Sequence, residues 1–84
     1  MDAKEIRRLR KEAQALKVTL HVGREGVTKE VAEELERQLK KHRLVKVRLQ
    51  PSLEMDRSEA GSELARASSS TLVEVRGRTV VLSR

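Results

Sequence analysis

The sequence predicts a two-layer α+β domain in the order α-β-α-β-α-β-β, a mixed four-stranded sheet with its helices mainly on one face. Three observations predict it. Apolar residues recur at steps of three and four in three segments, and at steps of two in the segments between and after them. Two strand–helix–strand units follow one another, and such units imply right-handed crossovers and parallel pairing. Finally, the last two β-rich runs are separated only by Gly77-Arg78, the signature of an antiparallel hairpin.

Residues 2–16 place Ile6, Leu9, Ala13 and Leu16 on one helical stripe, with Lys4, Arg7, Arg8 and Lys11 elsewhere and Asp2 as cap. Val18, Leu20 and Val22 alternate with Thr19 and His21, which reads as a short strand ending at Gly23-Arg24-Glu25-Gly26. Thr28 is placed to cap a helix over 28–43, with Val31, Leu35 and Leu39 inward. From Leu44 the period changes to two. Val45, Val47 and Leu49 share one face, Lys46 and Arg48 the other, until Gln50-Pro51-Ser52 ends the strand. Asp56-Arg57-Ser58-Glu59 fits a capping box for a third helix, which runs to about Ala67 with Ala60, Leu64 and Ala67 inward. Gly61 inside it costs up to about 1 kcal/mol relative to Ala, so this helix is expected to be the weakest. Ser68-Ser69-Ser70 leads to the strands Thr71–Arg76 and Thr79–Leu82.

Eighty-four residues allow a single domain, 1–84, with one thin core. The chain has no Cys, which excludes a disulfide framework, a thiolate nucleophile and a Cys-based zinc site. Without any Phe, Trp or Tyr, nucleic-acid contacts cannot rest on aromatic stacking platforms. The apolar stretches suggest neither a membrane span nor a signal peptide, so the expected setting is cytoplasmic. His21 and His42 lack a third ligand at sensible spacing, no carboxylate pair occupies an apolar pocket, and Ser68–Ser70 has no nucleophile-elbow context. Neither a metal, a cofactor, a small-molecule substrate nor an enzymatic reaction is expected. The small apolar count argues for a monomer.

The formal net charge of +6 is unevenly spread. Residues 25–36 hold five Glu against Lys29, whereas residues 37–50 hold six bases and no acid. Part of this order is dipole matching on the second helix: Glu30, Glu33 and Glu34 near its positive end, Lys40, Lys41 and Arg43 near its negative end. Glu33–Arg37 and Glu36–Lys40 also stand at i,i+4 spacing. Lys46, Arg48 and the excess before residue 25 need another reason, and a polyanion partner supplies one.

Gly-x-x-Gly alone is a common turn. Here it follows a strand, precedes a helix N-terminus and carries Arg24, so backbone N–H groups and missing Cβ atoms would admit a phosphate chain, as in KH domains. Leu9-Arg10, Leu16-Lys17, the 23–26 loop, Thr28, His42 with Leu44-Val45-Lys46-Val47, and Gly77-Arg78-Thr79-Val80-Val81-Leu82 together resemble the CRM (chloroplast RNA splicing and ribosome maturation) domain, whose bacterial stand-alone members are called YhbY-type. The resemblance spans about residues 6–82. It implies a fold similar to the C-terminal domain of translation initiation factor three, and association with ribosomal RNA in precursors of the large ribosomal subunit. The implied RNA surface is Gly23, Arg24, Glu25 and Gly26, supported by Arg10, Lys11, Lys17, Lys46, Arg48 and Arg78.

Four positions depart from the family pattern. Glu25 sets a carboxylate beside the phosphate path, and Val18 replaces a Pro, letting the first strand begin one residue earlier. Arg43 replaces an acid, and Ser69 replaces a helix-ending Gly, leaving the third helix without its preferred cap. Blander readings stand beside the RNA reading. Arg10, Lys11 and Lys17 solvate the first helix; Lys46 and Arg48 form a solvated sheet face; Arg76 and Arg78 flank a hairpin. The competing function is a basic protein-binding module that docks on an acidic patch of a ribosome-associated protein.

Overall fold

The computed structural model describes residues 1–84, with helices α1 (Ala3–Ala13), α2 (Lys29–Lys41) and α3 (Arg57–Ser68) and strands β1 (Leu20–Val22), β2 (Leu44–Leu49), β3 (Thr71–Arg76) and β4 (Thr79–Ser83). All three helices begin where capping chemistry puts them. The Asp2 carboxylate accepts from Glu5 N–H, the Thr28 hydroxyl from Val31 N–H, and the Asp56 carboxylate from Ser58 and Glu59 N–H. No helix is long and apolar enough to cross a membrane.

The sheet order is β1-β2-β4-β3. β1 and β2 pair in parallel across the α2 crossover, with Leu20, His21 and Val22 opposite Val47, Arg48 and Leu49. β4 then inserts between β2 and β3, antiparallel to both. The hairpin therefore returns into the gap that the α3 crossover leaves, so that three strands running one way (β1, β2 and β3) and one reversed strand (β4) make the mixed sheet.

Period-two alternation sorts the two faces. Val45, Val47 and Leu49 of β2, Val22 of β1 and Val80 and Leu82 of β4 pack with Leu35, Leu39, Ala60 and Leu64 of α2 and α3. Each fully buried Leu among them contributes about 1.5–3 kcal/mol by leaving water. The alternate residue Val81, with Val73 and Leu44, meets Leu9 and Ala13 of α1. So two helices cover one face while α1 lies across the other, leaving part of that second face open.

Local differences from expectation have physical causes. α1 stops at Ala13, and Leu16, expected on its buried stripe, is 38% exposed. The Lys46 ammonium donates to the carbonyls of Ala13 (3.1 Å) and Leu16 (3.4 Å), so a strand side chain caps the helix end. β1 begins at Leu20, not at or before Val18. Ala67 is exposed, and Ala65 rather than Ala67 joins Ala60 and Leu64 against the core. On α2 the pair that forms is Glu34–Arg37 (2.8 Å), not Glu33–Arg37. Ser69 adopts the left-handed conformation itself (φ 54°) and closes α3 with Ser70 N–H on Ala65 O (2.9 Å), so the cap is made without glycine, at a cost of about 1–2 kcal/mol. Gly61 has a packing reason: a Cβ there would lie 2.9 Å from Val75 Cγ2 and 3.2 Å from Leu72 Cδ1. Its absence lets α3 sit close on β3, offsetting the helix-propensity cost.

Candidate nucleic-acid interface

The loop after β1 is closed by Gly26 N–H donating to Gly23 O (3.0 Å), and Thr28 N–H donates to Gly26 O (3.0 Å) as the chain enters α2. Gly26 sits at φ +76°, so the bend itself requires glycine. Gly23 differs. It has no positive φ, and a Cβ built on it meets nothing within 4 Å. Nothing inside the fold asks for glycine at 23; the space its missing side chain leaves faces outward. Arg24 and Glu25 are exposed at the tip.

Two backbone bonds bring other segments to this loop. Gln50 N–H donates to Val22 O (2.8 Å), and Leu49 N–H donates to Arg78 O (2.7 Å). The glycine loop, the end of β2 and the hairpin turn therefore line one end of the sheet, with the loop and turn about 10 Å apart, two strand spacings. Register then places a polar row across the open face: His21 opposite Arg48, Arg48 opposite Thr79, Thr79 opposite Arg76. Arg24, Arg48, Arg76 and Arg78 are all exposed, and none of their guanidiniums bonds to the protein, whose paired arginines are Arg10, Arg37, Arg43, Arg66 and Arg84.

The remaining residues of the expected surface lie elsewhere. Arg10 Nε donates to Val73 O (3.3 Å), fastening α1 to β3, and Lys46 caps α1. Lys11 is exposed on α1, off the stripe that packs on the sheet. Lys17 lies near the other end of the sheet, in a groove of about 480 Å³ with Lys41, His42, Arg43 and Lys46. There too Gln38 Nε2 donates to Thr19 O and to Glu34 Oε2 (3.0 Å each). That amide bond, followed by the Arg37 guanidinium, holds the Glu34 carboxyl below its usual range. The chain thus brings together the loop, Arg48 and Arg78 and leaves Lys17 near the opposite end of the sheet. Sequence reasoning passed over His21 and Gln50 and read Arg76 only as a hairpin flank. Alternation alone marked His21 as outward, but its neighbours depend on strand register.

A backbone bend with an outward-facing glycine, at a helix N-terminus and beside four unpartnered guanidiniums, can receive a polyanion: amides and glycine admit the phosphates, arginines neutralise them. In construction it is a small basic α+β domain with a Gly-x-x-Gly loop. The CRS1 / YhbY (CRM) domain model matches residues 1–84, and the chain belongs to that family. Its fold is similar to the solution structure of the hypothetical protein SAV1595 from Staphylococcus aureus, a proposed RNA-binding protein, with a TM-score of 0.87 and 26% identity over 100% of this chain and 88% of that one. At the level of sequence, none of the curated proteins matches this chain.

Proposed function

We propose that this protein binds RNA through the Gly23–Gly26 loop and the neighbouring guanidiniums of Arg24, Arg48 and Arg78, and that its target is ribosomal RNA in precursors of the large ribosomal subunit. Family membership and the RNA-binding description of SAV1595 support the partner class. The observation that carries the choice of site is Gly23, a glycine the fold itself does not require. Phosphate oxygens approach the loop backbone, Arg24 and Arg78 neutralise the flanking phosphates, and Glu25 holds the chain off one side of the bend. Lys11 and Lys17 add long-range attraction, while Arg10 and Lys46 act through the fold that presents the loop. The protein works by holding RNA, as a cytoplasmic monomer, and carries out no reaction on it.

The test is the salt dependence of affinity. Each phosphate neutralised on a single strand contributes roughly 0.7 to the slope of log affinity against log salt. Arg24→Glu should lower both affinity and slope while leaving the circular dichroism spectrum unchanged. An unaltered slope in that variant would remove the loop from the mechanism. Retention on ribosomal particles after nuclease treatment would favour the protein-docking alternative.

A further inference from the structure

We infer that His21, Gln50 and Arg48 form a base-reading patch beside the loop, which selects a nucleotide presenting two acceptors and one donor. The inference rests on the RNA reading above and adds sequence selectivity to it. Gln50 Nε2 lies 2.8 Å from His21 Nδ1. An amide nitrogen only donates, so His21 Nδ1 accepts, and in neutral His21 the proton sits on Nε2. The pair therefore turns two fixed groups outward: the His21 Nε2–H as a donor and the Gln50 Oε1 as an acceptor. Arg48, opposite His21 in the β1–β2 register, adds a second donor that no protein group uses. Neighbouring strands lie about 4.7–4.9 Å apart, so Arg48 stands beside the His21 ring to which Gln50 is bonded.

Position gives the patch its role. Gln50 bonds Val22 through its backbone, and His21 stands two residues before Gly23, so a nucleotide whose phosphate occupies the loop has its base within reach of this face. With no Phe, Trp or Tyr in the chain, only the His21 ring and the guanidinium planes are left to stack on that base, and hydrogen bonds to its edge become the main means of recognition. Two donors and one acceptor complement guanine through N7, O6 and N1–H, and cytosine through O2, N3 and N4–H. Adenine and uracil offer no edge with two adjacent acceptors beside a donor.

The experiment measures binding of short single-stranded RNAs, uridine throughout except for one central position varied over the four bases, by fluorescence anisotropy at low salt. The intact protein should bind the guanosine and cytidine oligonucleotides about tenfold more tightly than the adenosine and all-uridine ones, one tenfold step being the lower end of what a good base contact provides. Gln50→Ala and His21→Ala should each level the four affinities to that of the all-uridine strand, whose own affinity and salt slope stay as in the intact protein. Equal affinities in the intact protein, or a preference that survives both substitutions, would overturn the base-reading patch while leaving the phosphate grip standing. Failure of every oligonucleotide to bind, with Arg24→Glu indistinguishable from the intact protein, would overturn both.

Discussion

Where β2 begins, Lys46 and three arginines have protein acceptors, while Lys17 and Lys41 have none. Lys46 caps α1, Arg10 bonds the β3 backbone, Arg84 donates to Leu39 and Lys40 carbonyls (3.1 Å each) at the end of α2, and Arg43 approaches Glu5 (3.5 Å). Where β2 ends, Arg24, Arg48, Arg76 and Arg78 have none. The same residue types thus do two jobs in one small chain. At the first end Lys46 and Arg84 neutralise the negative termini of helices, Arg10 fastens α1 to β3 and Arg43 pairs with Glu5, so these donors are spent inside the fold. At the second they remain available to a partner. Net charge alone does not separate these populations; the hydrogen-bond inventory does.

That contrast is open to a graded set of substitutions. The largest effect is expected from Arg24→Glu combined with Arg78→Glu: affinity for single-stranded RNA should fall about a hundredfold, tenfold for each reversal, with the melting temperature unchanged. Lys46→Met should do the opposite. Losing the cap on Ala13 and Leu16 carbonyls costs about 1–2 kcal/mol of stability, lowering the melting temperature by about 4–8 °C per kcal/mol, while RNA affinity stays within about twofold. A loss of RNA binding in that variant at a temperature where it is folded would erase the distinction between the two ends.

Smaller effects sharpen it. Ser69→Gly relieves the left-handed strain at the α3 cap and should raise stability by about 1 kcal/mol in chemical denaturation, with no effect on RNA. Glu34→Gln should show its effect only in acid. The folded state holds Glu34 below its ordinary value of 4.5, so the ionised carboxyl favours folding above that pH, and the contribution is lost as pH falls through the lower folded-state value. Denaturation profiles of the intact protein and the Gln variant should therefore run parallel above about pH 5 and converge below it.

Much of the fold was legible because local chemistry decided it. Asp2, Thr28 and Asp56 cap where their side chains and the apolar periodicity place them, and β2 keeps its Leu44–Leu49 bounds. What the sequence did not reveal depends on distant partners. The end of α1 is set by a lysine from β2, Gly61 by the close approach of β3, and the position of α1 by an open area on the second sheet face. The candidate site divides in the same way. Gly-x-x-Gly and Arg24 could be read directly, being contiguous. Arg76 and Gln50 join the loop only through the insertion of β4 and the parallel register of β1, and the same register gives His21, two residues before Gly23, its neighbours Arg48 and Gln50. Lys17 illustrates the converse, since standing six residues before Gly23 did not bring its side chain to the loop.

The most direct measurement is a backbone amide chemical-shift titration of the intact protein with a short guanosine-containing single-stranded RNA. Resonances of Gly23–Gly26, Gln50 and Gly77-Arg78 should move in a saturable, salt-sensitive manner while Lys17, Lys41 and Arg43 hold still. Saturable shifts at those three residues, with the loop and hairpin turn unmoved, would contradict the seating of RNA at the end of the sheet where the arginines are free.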